Sequence, residues 1–205
     1  MHLVCLTMFY RSGNDAHFLG SSKSLNHIGF FQRRAVAQFA NFGLRTIAQR
    51  AEIGRFTAVR DEAVGHYSCV YINAQGLGVG LICDDEYYNY SENGQATMTI
   101  CHKVLRTYQK ESNFDFRVNE DCESGFTDRL SGFLSEFAEP GSADKLGALR
   151  KQLDTTTGIV HDNLSKMMRI GEDLDRLVAD TDDLNAVSRG FYTQARRANR
   201  CNCRR

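Results

Sequence analysis

The chain has 205 residues, 42% hydrophobic and 24% charged, a globular mixture large enough for one domain with an extension or for two small domains. Lys plus Arg and Asp plus Glu each number 25, so the formal net charge is zero, and bulk charge points to neither a nucleic acid nor a strongly acidic partner. The most apolar run, Gly76 to Cys83, is far short of the ~20 residues a membrane-spanning helix needs.

The start, MHLVCLTMFY, has neither the basic region nor the small-residue cleavage site of a secretion signal. It reads as a strand, and AHFLGSS pairs with it after the turn SGND. The stretch IGFFQRRAVAQFANFGLRTIAQRA is a long helix with two adjacent apolar stripes. Ile28, Phe31, Ala35, Phe39 and Phe42 form one; Val36, Ala40, Gly43 and Ile47 form the other. Together they make an arc wider than a single sheet contact requires. HYSCVYIN and LGVGLIC read as a hairpin. QATMTICHKVLRTYQ and FTDRLSGFLSEFA each place apolar residues on one helical face. The order is strand, strand, helix, strands, helix, helix, which reads as a small α/β sandwich.

The seven cysteines are odd in number and follow no framework. Cys5, Cys69, Cys83 and Cys101 sit in apolar strings, where buried free thiols and a reducing compartment are expected. No catalytic motif stands out. GLGVGL lacks the spacing and the following helix of a nucleotide loop, and DDEYY has no histidine close in sequence. No metal site and no cofactor are expected, because the six histidines are dispersed.

Pro140, in EPGSAD, is the only proline and marks an expected boundary, with Asp144 as the cap of a helix starting at Lys145. The layout is 1–138 as a first domain, 139–144 as a linker, 145–200 as a coiled-coil helix, and 201–205 as a tail. Alternating steps of three and four after the boundary give Leu146, Leu149, Leu153, Thr156, Val160, Asn163, Met167, Ile170, Leu174, Leu177, Thr181, Leu184, Ser188, Phe191, Ala195 and Ala198, twelve of the sixteen being apolar. A 3.5-residue repeat of this length is a coiled-coil seam. Gly147, Gly158, Gly171 and Gly190 interrupt it, each at ~1 kcal/mol relative to alanine. Such a helix needs its seam covered, by other helices, by the N-terminal domain, or by a second copy of itself. Charge is sorted along it. Residues 172–183 carry six acids against Arg176, whereas beyond Ser188 the only charged residues are six arginines, with Cys201 and Cys203 among them.

GFFQR at the first helix, the strand end ICDDEYY, and GEDLDRLV through FYTQARRANRC resemble a longin-type R-SNARE, specifically the lipid-anchored Ykt type. The resemblance covers nearly the whole chain. It implies an α+β fold class: a profilin-like longin sandwich for residues 1–138, with an antiparallel sheet of about five strands and helices on both faces, followed by a SNARE coiled-coil helix for 145–200. The seam residues become layers of a four-helix bundle with three Q-SNARE helices from other proteins. The longin domain covers the same helix intramolecularly, with Phe31, Phe39 and Phe42 as the candidate contact face. The implied setting is vesicle-mediated transport and membrane fusion, on the cytosolic face of Golgi, endosomal or vesicle membranes. An adaptor that binds partners without fusing membranes is the alternative. Two departures stand out. The family's central arginine is displaced: Ile170 occupies that layer, and Arg169 lies one residue earlier, rotated about 100°. Either Arg169 reaches inward, or the partners differ there, or register is loosely set. The chain also ends RCNCRR, without a C-a-a-X prenylation box. Cysteine acylation (palmitate) of Cys201 and Cys203 beside the basic cluster is the remaining route to a membrane.

Overall fold

The computed structural model describes residues 1–61, 65–111, 115–122, 125–144, 158–168, 172–190 and 192–194. Strands β1 (Leu3–Ser12), β2 (Asp15–Lys23), β3 (Phe56–Asp61), β4 (His66–Ile72), β5 (Leu77–Asp84) and β6 (Gly158–His161) form one six-stranded sheet in the order β2-β1-β5-β4-β3-β6. The first five pair antiparallel, and β6 pairs parallel to β3. Strands β1 and β5 are buried on both faces, which is why their sequences read as apolar runs rather than alternations. Strand β3, FTAVRD, is not legible as a strand in the sequence. It is short and covered on both faces along its first four residues, so it carries no period-two signal.

Helices lie on both faces. Helix α1 (Arg33–Arg50) packs Ala40, Leu44, Ile47 and Ala48 on Val4, Phe9, Val70 and Ile82. Helices α3 (Gln95–Glu111) and α4 (Thr127–Glu136) cover the other face, with Ile100, Val104, Leu130 and Phe133 against Leu6, Met8, Leu81 and Cys83. Helix α2 (Asp85–Asn89) explains DDEYY. Asp84 caps it by accepting from the Tyr87 amide at 2.7 Å, and Asp85 and Glu86 fill its first turn, where negative charge suits the helix dipole. The glycines of GLGVGL serve packing. A Cβ on Gly78 would lie 2.3 Å from the Phe9 ring, and one on Gly80 would lie 3.0 Å from Leu44.

The segment expected as a linker does not leave the domain at once. Pro140 is buried, and a helical turn, α5 (Gly141–Asp144), puts Ala143 into the core. Asp144 is the last residue of this turn, and the helix expected from Lys145 lies outside the described residues. The described residues of the C-terminal segment form short elements. Gly158–His161 is strand β6, Leu164–Met167 is a 3₁₀ turn, α6 (Leu174–Asp180) has seven residues, and helical turns follow at 186–190 and 192–194. Local chemistry accounts for the breaks. Gly158, Ile159 and Val160 are poor helix formers, and the last two favour strands. Asn163 and Asp173 accept amide hydrogen bonds as N-caps, from Lys166 and Asp175, so each starts a new turn in the middle of the heptad pattern.

Both cores can be probed by substitution. Gly78→Ala forces its methyl group onto the fully buried Phe9. Overpacking of this kind costs about 1–3 kcal/mol, so a melting curve should fall by roughly 2–12 °C for a chain of this size. His102 stacks on Tyr71 at 4.2 Å between ring centroids, and its Nε2 is buried without a hydrogen-bond partner among the described residues. Burial, helped by nearby Arg106, lowers its pKa to about 4. The unfolded chain takes up this proton near pH ~6.5, so the stability from a neutral His102 is present above that pH and lost as pH falls toward about 4. His102→Phe should flatten part of the decline in melting temperature across that window.

Candidate functional site

The residues left on the outer side of α1, away from the sheet, are Gln38, Phe39, Phe42, Arg45 and Arg50. The C-terminal segment lies along them. Phe42, Val178 and Leu184 form a buried cluster, joined by Phe39, Leu164, Leu174, Leu177 and Tyr192. The apolar stripe through Phe39 and Phe42 therefore has its own partner, which is what the wide arc required. Contact runs in one direction. Glu172 meets Arg50, Asp183 meets Arg45, Ser188 meets Gln38, and Tyr192 meets Phe39. The segment is antiparallel to α1.

Polar groups fix the register of this contact. Arg50 donates to Glu172 through Nε at 3.1 Å and Nη2 at 2.9 Å. Arg45 donates to both Asp183 oxygens, at 2.8 and 3.1 Å, and to both Asp121 oxygens, at 2.6 and 3.1 Å, with its guanidinium 4.2 Å above the Phe18 ring. Burial works against charge on Arg45, but the carboxylates outweigh it and hold the guanidinium protonated more firmly than usual. Burial alone would raise the Asp121 carboxyl; hydrogen bonds from Arg45 and the Phe18 amide hold it below the ordinary carboxylate range. Gln38 Oε1 accepts from the Asn185 amide at 3.2 Å and from Ser188 Oγ at 2.7 Å. These charge-assisted and bidentate bonds have strict geometry, and so they specify position as well as adding affinity.

The seam residues are distributed unevenly. Leu184 and Ser188 are buried, Met167, Leu174, Leu177 and Thr181 are half-buried, and Val160 and Asn163 are exposed. Leu146, Leu149, Leu153, Thr156, Arg169, Ile170, Phe191, Ala195, Ala198, Cys201 and Cys203 lie outside the described residues. Of the candidate contact face, Phe39 and Phe42 touch the segment, whereas Phe31 is 91% exposed and packs edge to face with Phe30. Phe31 is excluded because it belongs to a 3₁₀ turn, Phe30–Gln32, that precedes α1, so the stripe does not continue through it. Sequence reasoning missed Gln38, Arg45, Arg50 and Val178. A charge signal was available for the arginines: no acid occurs between Asp15 and Glu52, opposite the acidic run 172–183. Val178 lies one place off the heptad seam, and a broken helix uses a different face from a continuous one.

Comparison with known proteins assigns the sequence to a family. The family model described as Synaptobrevin matches residues 145–205. The Synaptobrevin homolog YKT6 of Eremothecium gossypii is 31% identical over 203 residues, 98% of each chain. The chain belongs to the synaptobrevin family. The Synaptobrevin homolog YKT6 of Saccharomyces cerevisiae is 30% identical over 98% of each chain. The VAMP-like protein YKT61 of Arabidopsis thaliana is 30% identical over 92% of this chain and 90% of its own. Synaptobrevins are SNARE proteins of vesicle trafficking and membrane fusion, and the longin-like α+β fold described above is followed by the synaptobrevin region. Among the described residues no helix is long and apolar enough to cross a membrane.

Phe42→Ala tests the contact. Loss of a buried phenylalanine costs about 3–5 kcal/mol where the site cannot collapse. Amide exchange over residues 174–190 should rise at least about tenfold. Exchange in β1 and β5, which Phe42 does not touch, should stay near the parent rate.

Proposed function

We propose that this chain supplies the arginine-class helix of a four-helix bundle with three Q-SNARE helices, and that its longin domain regulates entry into that bundle. The supporting observation is the overlap of two residue sets. Leu174, Leu177, Leu184 and Ser188 are layers of the heptad seam, and they also face α1 in the docked segment. One side chain cannot be buried in both places. Docking on α1 and bundling with partner helices therefore compete, and each ~1.4 kcal/mol of closure weakens apparent bundle affinity tenfold.

Opening breaks the Arg45–Asp183 and Arg50–Glu172 ion pairs, uncovers Phe42 and strips β6 from β3. The bundle returns this by burying four apolar seams together. The proposed division is longin domain 1–138, linker 139–144, SNARE motif 145–200 and tail 201–205, with Pro140 and Ala143 holding the linker's start on the domain. Arg169 is the candidate for the central polar layer, although Ile170 holds that position in the repeat. Acylation of Cys201 and Cys203 beside the tail arginines supplies the membrane attachment, on the cytosolic face of Golgi, endosomal or vesicle membranes.

Lipid mixing between vesicles carrying the acylated full chain and vesicles carrying three Q-SNARE helices tests this reading. Phe42→Ala should shorten the lag, because the segment is released sooner. Arg169→Ala should reduce the extent of mixing if its guanidinium enters the layer. Assembly without lipid mixing by the parent chain would overturn the fusion role and leave an adaptor.

A further inference from the structure

The contact with the C-terminal segment leaves Phe30 and Phe31 unused. They are 77% and 91% exposed, the two most exposed large apolar side chains among the described residues. They sit side by side on the 3₁₀ turn ahead of α1, packed edge to face at 5.6 Å, and no residue of that turn is buried. Two adjacent phenylalanines in water, each supported only by the other, contribute nothing to the core.

The stretch of sequence around them carries charge of one sign. From Ala16 to Ala51 the chain holds Lys23, Arg33, Arg34, Arg45 and Arg50 and no acid. Arg33 ties the tip to the preceding loop, donating to Ile28 O at 3.0 Å and to Asn26 O at 3.3 Å. Arg34 is exposed. Cations in the first turn of a helix oppose its dipole, so this pair does not serve helix stability. Asp84 and Glu86 lie toward the same end but are engaged with the N-terminal amino group, at 3.4 and 3.1 Å.

The C-terminal segment approaches this end. Running antiparallel to α1, it reaches Phe39 with Tyr192. Phe31 lies eight residues further toward the start, roughly 12 Å at helical rise. Eleven residues follow Gln194, including Arg196, Arg197, Arg200, Arg204 and Arg205, and they span roughly 36 Å when extended. The basic tail is therefore long enough to share one surface with the aromatic tip.

We propose that Phe30 and Phe31, flanked by Arg33 and Arg34, form a membrane-inserting tip that docks the longin domain on anionic lipid. The phenyl rings enter the headgroup and acyl boundary while the guanidinium groups stay among the phosphates. This adds a second contact to the lipidated tail proposed above, and the domain itself, not only its tail, then faces the bilayer.

The chain contains no tryptophan, so Phe31→Trp in the full chain is a single fluorescent reporter of the tip. On vesicles of phosphatidylcholine with phosphatidylserine its emission should shift to the blue and be quenched by brominated acyl chains. On phosphatidylcholine alone both effects should be much weaker. Phe30→Ser with Phe31→Ser should lower partitioning onto the anionic vesicles by at least about tenfold, and the high exposure of both positions lets that variant fold. Unchanged emission on vesicles that sediment the protein, or partitioning of the double variant within about twofold of the parent, overturns the proposal. Cys201→Ser with Cys203→Ser tests the tail anchor separately, since the indole introduced by Phe31→Trp reports the tip alone.

Discussion

Helix α1 has to bury two faces, and the sheet can cover only one of them. Leu44, Ile47 and Ala48 are held by the sheet. Phe42 points elsewhere and is nevertheless only 7% exposed, because Val178 and Leu184 reach it from more than 130 residues along the chain. Without that cover a phenylalanine stripe on a helix surface is a docking site in search of a partner. The position of the C-terminal segment follows from this requirement. On the proposed reading, the cover is a segment whose own seam other helices can also satisfy.

In the C-terminal segment, local preferences and heptad pattern disagree. The pattern asks for one helix. Gly158, the β-branched pair Ile159 and Val160, and the N-capping Asn163 and Asp173 ask for a strand and short turns. In natural sequences such conflicts are usually resolved at every position. Here they are retained, and the longin domain settles them in this structure through α1 and the edge of β3. Strand β6 also solves a separate problem: it covers an edge that would otherwise offer unpaired amides and carbonyls to other chains.

Much of the domain was legible because burial on one face leaves a period. The hairpin at His66–Asp84 and helices α1, α3 and α4 fell where apolar spacing put them. Strand β3 did not, since both of its faces are covered. Strand β6 did not either, because a three-four repeat runs straight through it and the sheet edge that recruits it is fixed by tertiary structure alone. At the site, Phe39 and Phe42 were readable as surplus apolar surface. Arg45 and Arg50 required matching a basic helix with an acidic run more than 120 residues away, a comparison no local period suggests. Phe31 misled because it sits in phase with Phe39 on a helical wheel, while the helix starts only at Arg33.

That displacement of Phe31 separates two kinds of apolar surface that composition cannot tell apart. Phe42 is buried by the chain itself, within a ring of ion pairs that fix how the cover sits. Phe31 has no such ring among the described residues: its neighbours are Phe30 and the arginines Arg33 and Arg34, in a stretch of sequence without acids. A surface meant for a folded partner is bordered by groups that impose register, as Gln38, Arg45 and Arg50 do. A lipid interface has no register, so apolar rings and positive charge are enough. The two ends of α1 are therefore chemically distinct. Its C-terminal half is built to hold one particular segment in one position, and its N-terminal tip is suited to a surface that recognises charge and greasiness without shape.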